Sequence, residues 1–324
     1  MFNQYNYQKK SMTNNPQKIS IVIPSFNEEG NIEVMINALH FEFKNLNFEY
    51  ELIFVDDGSS DKTLAILEQI ASNDKNVFFI ALSRNFGHQN ALMAGLDLAS
   101  GNAIITMDGD MQHPPSLIPA MIEKWKEGFE VVYTRRKEDS SLPKFKKVTS
   151  KYFYKFINYI SEIDIEAGTA DFRLMDNKVA KVFFTFTENE LFIRGLVNWI
   201  GFKQYAIDYE PAERFSGHSK YTFKKMFQFA LKGITSFSIR PLYLSIFLGL
   251  SISIIATIFY LIYVFYSIYF GHTISGWSSV IFTVVFFGGL NLIVLGIIGV
   301  YVGKLFMQSK NRPNYIISNT NILK

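Results

Sequence analysis

Ile104-Ile105-Thr106-Met107-Asp108-Gly109-Asp110-Met111-Gln112-His113-Pro114-Pro115 is an apolar run that stops abruptly on two aspartates one residue apart. The apolar part reads as a strand, and the polar, proline-rich remainder as the loop beyond its end. Two carboxylates at a strand's end can share a hard divalent cation, and the glycine between them lets a diphosphate approach the backbone closely. This is chemistry for a nucleotide-activated substrate.

Outward from that strand the same grammar repeats. Short β-rich runs at 19–23, 51–55, 77–82, 103–107 and 130–133 alternate with helically spaced stretches at 31–43, 61–72, 89–99 and 117–127. Such alternation needs crossover connections, so it predicts an α/β fold with a mostly parallel sheet and helices on both faces. Ligands then sit beyond the carboxyl ends of the strands. Four polar clusters fall at those ends: Pro24-Ser25-Phe26-Asn27-Glu28-Glu29, Asp56-Asp57-Gly58-Ser59-Ser60-Asp61, Ser83-Arg84-Asn85-Phe86-Gly87-His88, and the Asp108 to His113 stretch. An acidic side chain there can accept hydrogen bonds from a ribose or a base N–H. His88, His113 and His218 are not spaced like a zinc site and read as polar loop residues.

The chain has 324 residues, 48% of them hydrophobic and 16% aromatic, which excludes a disordered chain and allows one sizeable domain plus a smaller one. With no cysteine there is no disulfide framework, thiolate metal site or cysteine nucleophile, and the redox compartment stays open. Net charge is only +3, yet the basic residues crowd around Arg135–Lys155 and Arg214–Arg240, interleaved with aromatics. That pattern suits anionic lipid headgroups better than a nucleic-acid groove. Residues 1–18 are polar and lack an apolar core with a small-residue cleavage pattern, so they read as a loose tail.

Segments 242–270 and 277–302 contain no charged residue, and each exceeds the roughly 20 apolar residues that cross a bilayer. Arg240 before the first, and Lys304, Lys310 and Arg312 after the second, flank a loop around 271–276 without Lys or Arg, which places the large domain and both termini on the cytoplasmic side. Stretches 143–160 and 220–239 mix Lys with Phe, Tyr, Ile and Leu at helical spacing and read as amphipathic helices lying in the interface. Gly299 and Gly303 give the second span a small-residue face for another helix, in this chain or in a second copy. The domain reading is therefore a tail at 1–18, a catalytic domain at 19–220, an interfacial helix at 221–240, two spans within 241–304 and a cytoplasmic tail at 305–324.

Taken together and in order, the four strand-end clusters resemble glycosyltransferase family 2, and more narrowly its dolichyl-phosphate mannose synthase and bacterial polyprenyl-phosphate glycosyltransferase branch. The resemblance implies the Rossmann-like GT-A fold, a nucleotide diphosphate sugar as donor, a polyprenyl phosphate as acceptor, Mg²⁺ or Mn²⁺, inversion at the anomeric carbon and a bacterial inner-membrane location. UDP-glucose is the favoured donor and GDP-mannose the next. By resemblance Pro24, Phe26, Glu28, Asp56, Asp57 and Arg84 line the nucleotide pocket, while Asp108, Asp110 and Gln112 hold the metal and diphosphate beside Gly109. Phe26 and Gly109 stand where many relatives carry Tyr and Ala. The segment Gly168-Thr169-Ala170-Asp171-Phe172-Arg173 resembles the acceptor side, with Asp171 as candidate base. Arg214, Ser219 and Lys220 match residues that reach the donor or acceptor phosphates, and Arg135 at the end of the fifth strand is a similar candidate, with Arg136 beside it. A lipid phosphate is already largely a dianion at neutral pH, so Asp171 is expected to orient the acceptor more than to deprotonate it. A processive polysaccharide synthase shares the donor half but has more spans and a Gln-x-x-Arg-Trp motif that this chain lacks; intact Asp108, Asp110 and Gln112 argue against an inactive nucleotide-sugar-binding scaffold.

Overall fold

The computed structural model describes residues 17–136, 168–186, 188, 193–210, 238, 240–271 and 276–322. At its centre lies β1 (Lys18–Ser25), which is apolar on both faces. Ile19, Ile21 and Ile23 join one buried cluster and Val22 the opposite one. Only a strand covered on both sides accommodates that pattern. β1 pairs in parallel with β2 (Glu49–Asp56) and with β4 (Ala103–Thr106), and β2 pairs in parallel with β3 (Val77–Leu82). The first cluster is closed by α1 (Ile32–Phe43), α2 (Thr63–Asn73) and α4 (Ile118–Lys126), through Met35, Leu39, Leu67 and Met121. The second is closed by α3 (His88–Leu98), α5 (Asn177–Phe183) and α6 (Ile193–Trp199), through Leu92, Phe183 and Leu196. α3 lies very close to the sheet, since a Cβ on Gly95 would stand 2.2 Å from Val22 Cγ1.

All five predicted strands and four predicted helices are present, with ends displaced by at most three residues. Three further strands complete a sheet of order β7-β5-β6-β4-β1-β2-β3-β8. β6 (Thr169–Asp176) inserts antiparallel between β4 and β5 (Val131–Arg136), and β7 (Gln204–Tyr209) runs parallel to β5. The result is the mixed, mostly parallel GT-A arrangement, and it carries Asp171 to the side of Asp108. The segment expected to trail away after 304 instead returns: β8 (Ile317–Thr320) pairs antiparallel with β3. Its four residues, Ile-Ser-Asn-Thr, carry too little periodicity to announce a strand without the edge that they complete.

Two long helices follow, α7 (Arg240–Phe270) and α8 (Trp277–Ser309), both extending beyond the predicted spans. Within them Ser245–Phe270 and Ser279–Ser309 are long and apolar enough to cross a membrane, and almost none of that length is buried inside the protein. Phe265, Ile268 and Leu292 are each more than 70% exposed, which in water would be a large penalty for residues of this size. Apolar side chains exposed over that length suit lipid better than water, which makes the two helices candidate membrane spans. The two stretches expected as interfacial helices, 143–160 and 220–239, lie outside the described residues apart from Ser238, as do residues 1–16 of the expected tail.

Candidate active site

Parallel strands end on one edge, so β1, β2, β3 and β4 deliver their following loops to a common place. There the loops are bonded into one unit. The Asp57 N–H donates to Ser25 O at 2.9 Å, and the Asp57 carboxylate accepts the N–H groups of Phe86 and Gly87 at 2.7 and 2.9 Å. Asn27, in a left-handed conformation at φ 55, donates its N–H to Ser59 Oγ and accepts the Ser60 N–H at its side-chain oxygen. The Glu28 N–H is held by Thr63 Oγ1 at 2.9 Å. Gly58, at φ 69, is required because a Cβ would stand 2.6 Å from the Arg84 carbonyl carbon.

The nucleotide candidates of the sequence therefore share one edge. Phe26 is 40% exposed and available for stacking on a base. Pro24 lies at the end of β1, and Glu28 accepts Asn31 Nδ2. Arg84 stacks its guanidinium on Phe86, 4.0 Å from the ring centre. Asp56 and Asp57 are buried, and burial pushes both carboxyls above the ordinary range. Hydrogen bonds from Ser59 to Asp56, and from Phe86 and Gly87 to Asp57, pull in the opposite direction. With both oxygens committed to loop N–H groups, Asp57 braces the β3–α3 loop.

Beside this unit four side chains from three segments converge. Asp108 follows β4, and its N–H donates to His113 Nδ1 at 3.1 Å. Nδ1 of His113 thus accepts, which in the neutral ring puts its proton on Nε2, 3.7 Å from Asp108 Oδ2. The His113 ring is buried and stacked on Phe172 at 5.4 Å. His88 opens α3 directly after Gly87, whose φ of 91 turns the chain. Its Nε2 lies 3.4 Å from Asp108 Oδ1 and 3.7 Å from Asp171 Oδ2. Asp171 sits on β6, where Thr106 Oγ1 donates to its carbonyl at 2.6 Å and the fully buried Arg173 donates to its Oδ1 at 3.1 Å.

One ligand atom each from His88, Asp108 and Asp171 lies within 4.8 Å of the others. Asp108 Oδ1 is buried and has no hydrogen-bond partner among the described residues. An orphaned carboxylate oxygen inside such a group is what a cation would satisfy, so these residues fit a divalent metal. Asp110, expected beside Asp108 as a ligand, accepts the Gln112 N–H at 3.1 Å, and neither Asp110 nor Gln112 belongs to the His88–Asp108–Asp171 group. Gly109 packs under the β1 end, where a Cβ would be 3.3 Å from Ser25 Oγ.

His88 and His113, read from sequence as polar loop residues, both belong to the constellation. The available signal was position: each follows a strand-end cluster directly. Arg135, expected at a phosphate, makes a two-pronged ion pair with Asp208 of β7, at 2.6 and 3.1 Å. Arg214, Ser219 and Lys220 lie outside the described residues.

The chain is similar to several known proteins. The family model described as Glycosyl transferase family 2 matches residues 20–184. An uncharacterized glycosyltransferase of Bacillus subtilis (strain 168), YkcC, is 43% identical over 301 residues, 93% of each chain. The bactoprenol glucosyl transferase of Shigella phage SfV is 39% identical over 303 residues, covering 93% of this chain and 98% of that one. Among solved structures, glucosyl-3-phosphoglycerate synthase from Mycobacterium tuberculosis, in complex with Mn²⁺, UDP and phosphoglyceric acid, superposes with a TM-score of 0.46 at 18% identity, over 68% of this chain and 76% of that one.

Proposed function

The chain belongs to glycosyltransferase family 2, and from that premise we propose that it moves a hexose, glucose first among the candidates, from a nucleotide diphosphate sugar to a polyprenyl phosphate at a membrane. The observation that carries this reading is the pairing, in one chain, of the strand-end group His88–Asp108–Asp171 with two exposed apolar helices long enough to span a bilayer. A soluble acceptor would need no such helices; an acceptor whose tail stays in lipid does. Relatives named bactoprenol glucosyl transferase, matching over nearly the whole chain, support the same acceptor and sugar.

In the proposed reaction an acceptor phosphate oxygen forms a bond to C1 of the sugar while the bond from C1 to the diphosphate oxygen breaks, and the nucleoside diphosphate leaves with that electron pair. Attack from the face opposite the leaving group inverts C1. A bound Mg²⁺ or Mn²⁺ would neutralise charge on the departing diphosphate. Phe26 stacks on the base, and the 24–29 and 56–63 loops hold the nucleoside. Asp171, with Oδ1 tied to the Arg173 guanidinium, serves to fix geometry beside the incoming phosphate, which arrives largely deprotonated. Arg214, Ser219 and Lys220 are assigned to the phosphates.

We place the catalytic domain and both termini on the cytoplasmic face of a bacterial inner membrane, from Arg240, Lys304, Lys310 and Arg312 flanking the spans. Gly299 and Gly303, where a Cβ would touch nothing, leave α8 a face suited to a second copy. The test is direct. Purified, folded protein is incubated with a panel of nucleotide sugars, undecaprenyl phosphate and Mg²⁺ or Mn²⁺, and the lipid fraction is examined by mass. A hexose adduct with UDP-glucose is expected; no adduct from any donor would overturn the reading.

A further inference from the structure

We infer that His113 is a positioning residue for the proposed reaction: its Nδ1 lone pair sets where Asp108 stands beyond β4, and its ring ties that place to β6 and β7. The inference deepens the reading above and rests on it for the task of Asp108 at the diphosphate.

β4 ends at Thr106, and beyond it the Met107 N–H still reaches back to Val22 O of β1 at 3.1 Å. The next N–H, that of Asp108, has left the ladder and donates to His113 Nδ1 at 3.1 Å. A side chain thus closes the loop from Asp108 to His113. Inside that loop Met111 adopts φ 62, and the Gln112 N–H donates to Asp110 Oδ1 at 3.1 Å. A residue with a Cβ keeps a left-handed conformation only where its surroundings enforce it, and the closure at His113 supplies that restraint.

The ring is itself pinned. It is 5% exposed, lies on Phe172 at 5.4 Å with the planes 18° apart, and meets Tyr209 edge-on at 6.2 Å. Phe172 adjoins Asp171 on β6, and Tyr209 ends β7. Pro114 and Pro115 follow with restricted φ. Asp108 is therefore placed by reference to the strand that carries Asp171, and Thr106 Oγ1, donating to Asp171 O at 2.6 Å, makes a second tie between the same two strands. Packing alone would be served by phenylalanine in this slot between aromatic rings. Imidazole adds a lone pair for an N–H that would otherwise be left unsatisfied, which is what burial penalises. Accepting at Nδ1 puts the ring proton on Nε2, 3.7 Å from Asp108 Oδ2, so one ring faces both the backbone and the carboxylate of a single residue.

The experiment uses the full chain in detergent and two variants that divide the roles of the ring. His113→Asn keeps an acceptor where Nδ1 stood and loses the ring; His113→Phe keeps the ring and loses the acceptor. A packing role ranks His113→Phe above His113→Asn in every measurement. Positioning predicts opposite orders: His113→Phe melts at the same temperature as His113→Asn or higher, yet its kcat for glycolipid formation falls about 10–100-fold with the KM for undecaprenyl phosphate unchanged, and its Mn²⁺ affinity, read by loss of the free EPR signal, falls as well, while His113→Asn loses less of both. If His113→Phe does not fold, His113→Leu takes its place. In ¹⁵N-histidine-labelled wild type at mildly alkaline pH, the nitrogen signals missing from His113→Asn should be those of an unprotonated Nδ1 and a protonated Nε2. A proton on Nδ1, or activity and Mn²⁺ affinity in His113→Phe that match or exceed those of His113→Asn, overturns the inference. The labelled spectrum and the Mn²⁺ affinities judge His113 without any turnover, so the absence of glycolipid from every donor would sink the proposed reaction alone, whereas wild-type transfer with the variants in the packing order would sink His113 alone.

Discussion

Replacing Gly58 by Ala tests whether the strand-end loops really form one unit. Two effects separate. At φ 69 a residue with a Cβ is strained by about 1–2 kcal/mol wherever it sits. In addition the new Cβ would lie 2.6 Å from the Arg84 carbonyl carbon and 2.7 Å from the Asn85 nitrogen, so this backbone must retreat by about 0.8 Å to reach ordinary contact. Crowding of that kind typically costs about 1–3 kcal/mol. The retreat pulls the Phe86 and Gly87 N–H groups away from Asp57, and His88 follows. Gly128→Ala is the control: its φ is 93, yet nothing lies within 4 Å of the added carbon. Denaturation midpoints of the full chain should place Gly58→Ala about 2–5 kcal/mol below wild type and Gly128→Ala only about 1–2 kcal/mol below. Mn²⁺ affinity should fall in the first variant alone. Equal destabilisation in the two variants, with unchanged Mn²⁺ binding, would refute the idea that the β2 and β3 loops are packed together to position His88.

Three further outcomes are expected. Arg173→Met removes the guanidinium from the buried Asp171 carboxylate and should destabilise the fold by about 3–5 kcal/mol, with a smaller loss in the Arg173→Met/Asp171→Leu double variant, read by denaturation. Asp56 has a carboxyl raised by burial, so its contribution to stability is complete below the unfolded value and is lost as pH rises through the higher folded value. Asp56→Asn should therefore flatten the fall in stability as pH rises from about 4, and an unchanged slope would contradict the burial argument. Removing residues 313–322 should speed hydrogen exchange at the amides of Phe79 and Ser83, which donate to Asn321 Oδ1 and Ile316 O at 2.8 and 2.9 Å, while the Ile53 and Val55 amides inside the sheet stay protected.

Most of the α/β frame was legible because its signals are local. The KISIVIPS and ELIFVD runs need no partner to be recognised as strands apolar on both faces, and Asp56, Asp57, Asp108 and Asp110 stand where such strands stop. β6 was less legible. Its sequence TADFRLMD places an arginine in the middle of a strand, and only the antiparallel fit between β4 and β5, with Asp171 close by, makes a fully buried guanidinium tolerable. β8 was illegible for a different reason, since its partner edge lies more than 230 residues earlier. The His88–Asp108–Asp171 group was half legible. Asp108 and Asp171 carry recognisable motifs, but the approach of His88 depends on the Gly87 turn and on the tilt of α3, neither of which leaves a periodic mark in the sequence.

These long-range pairings converge on a single loop. After α8 the chain runs back along the catalytic domain: Tyr315 donates to Asp97 of α3 at 3.2 Å, with its hydroxyl pushed well above the usual phenol range first by burial and then by that carboxylate. Ile316 O accepts the Ser83 N–H, and β8 then zips along β3. Ser83 is the first residue of the loop that ends at His88. The loop is thus held at its start by Ile316, the residue before β8, in its middle by Asp57, and at its end by α3 on the sheet. A loop pinned at three points has little freedom to swing toward a substrate. On the proposed reaction both donor and acceptor must come to this edge, and the return of β8 fixes how the chain leaving the second apolar helix meets it.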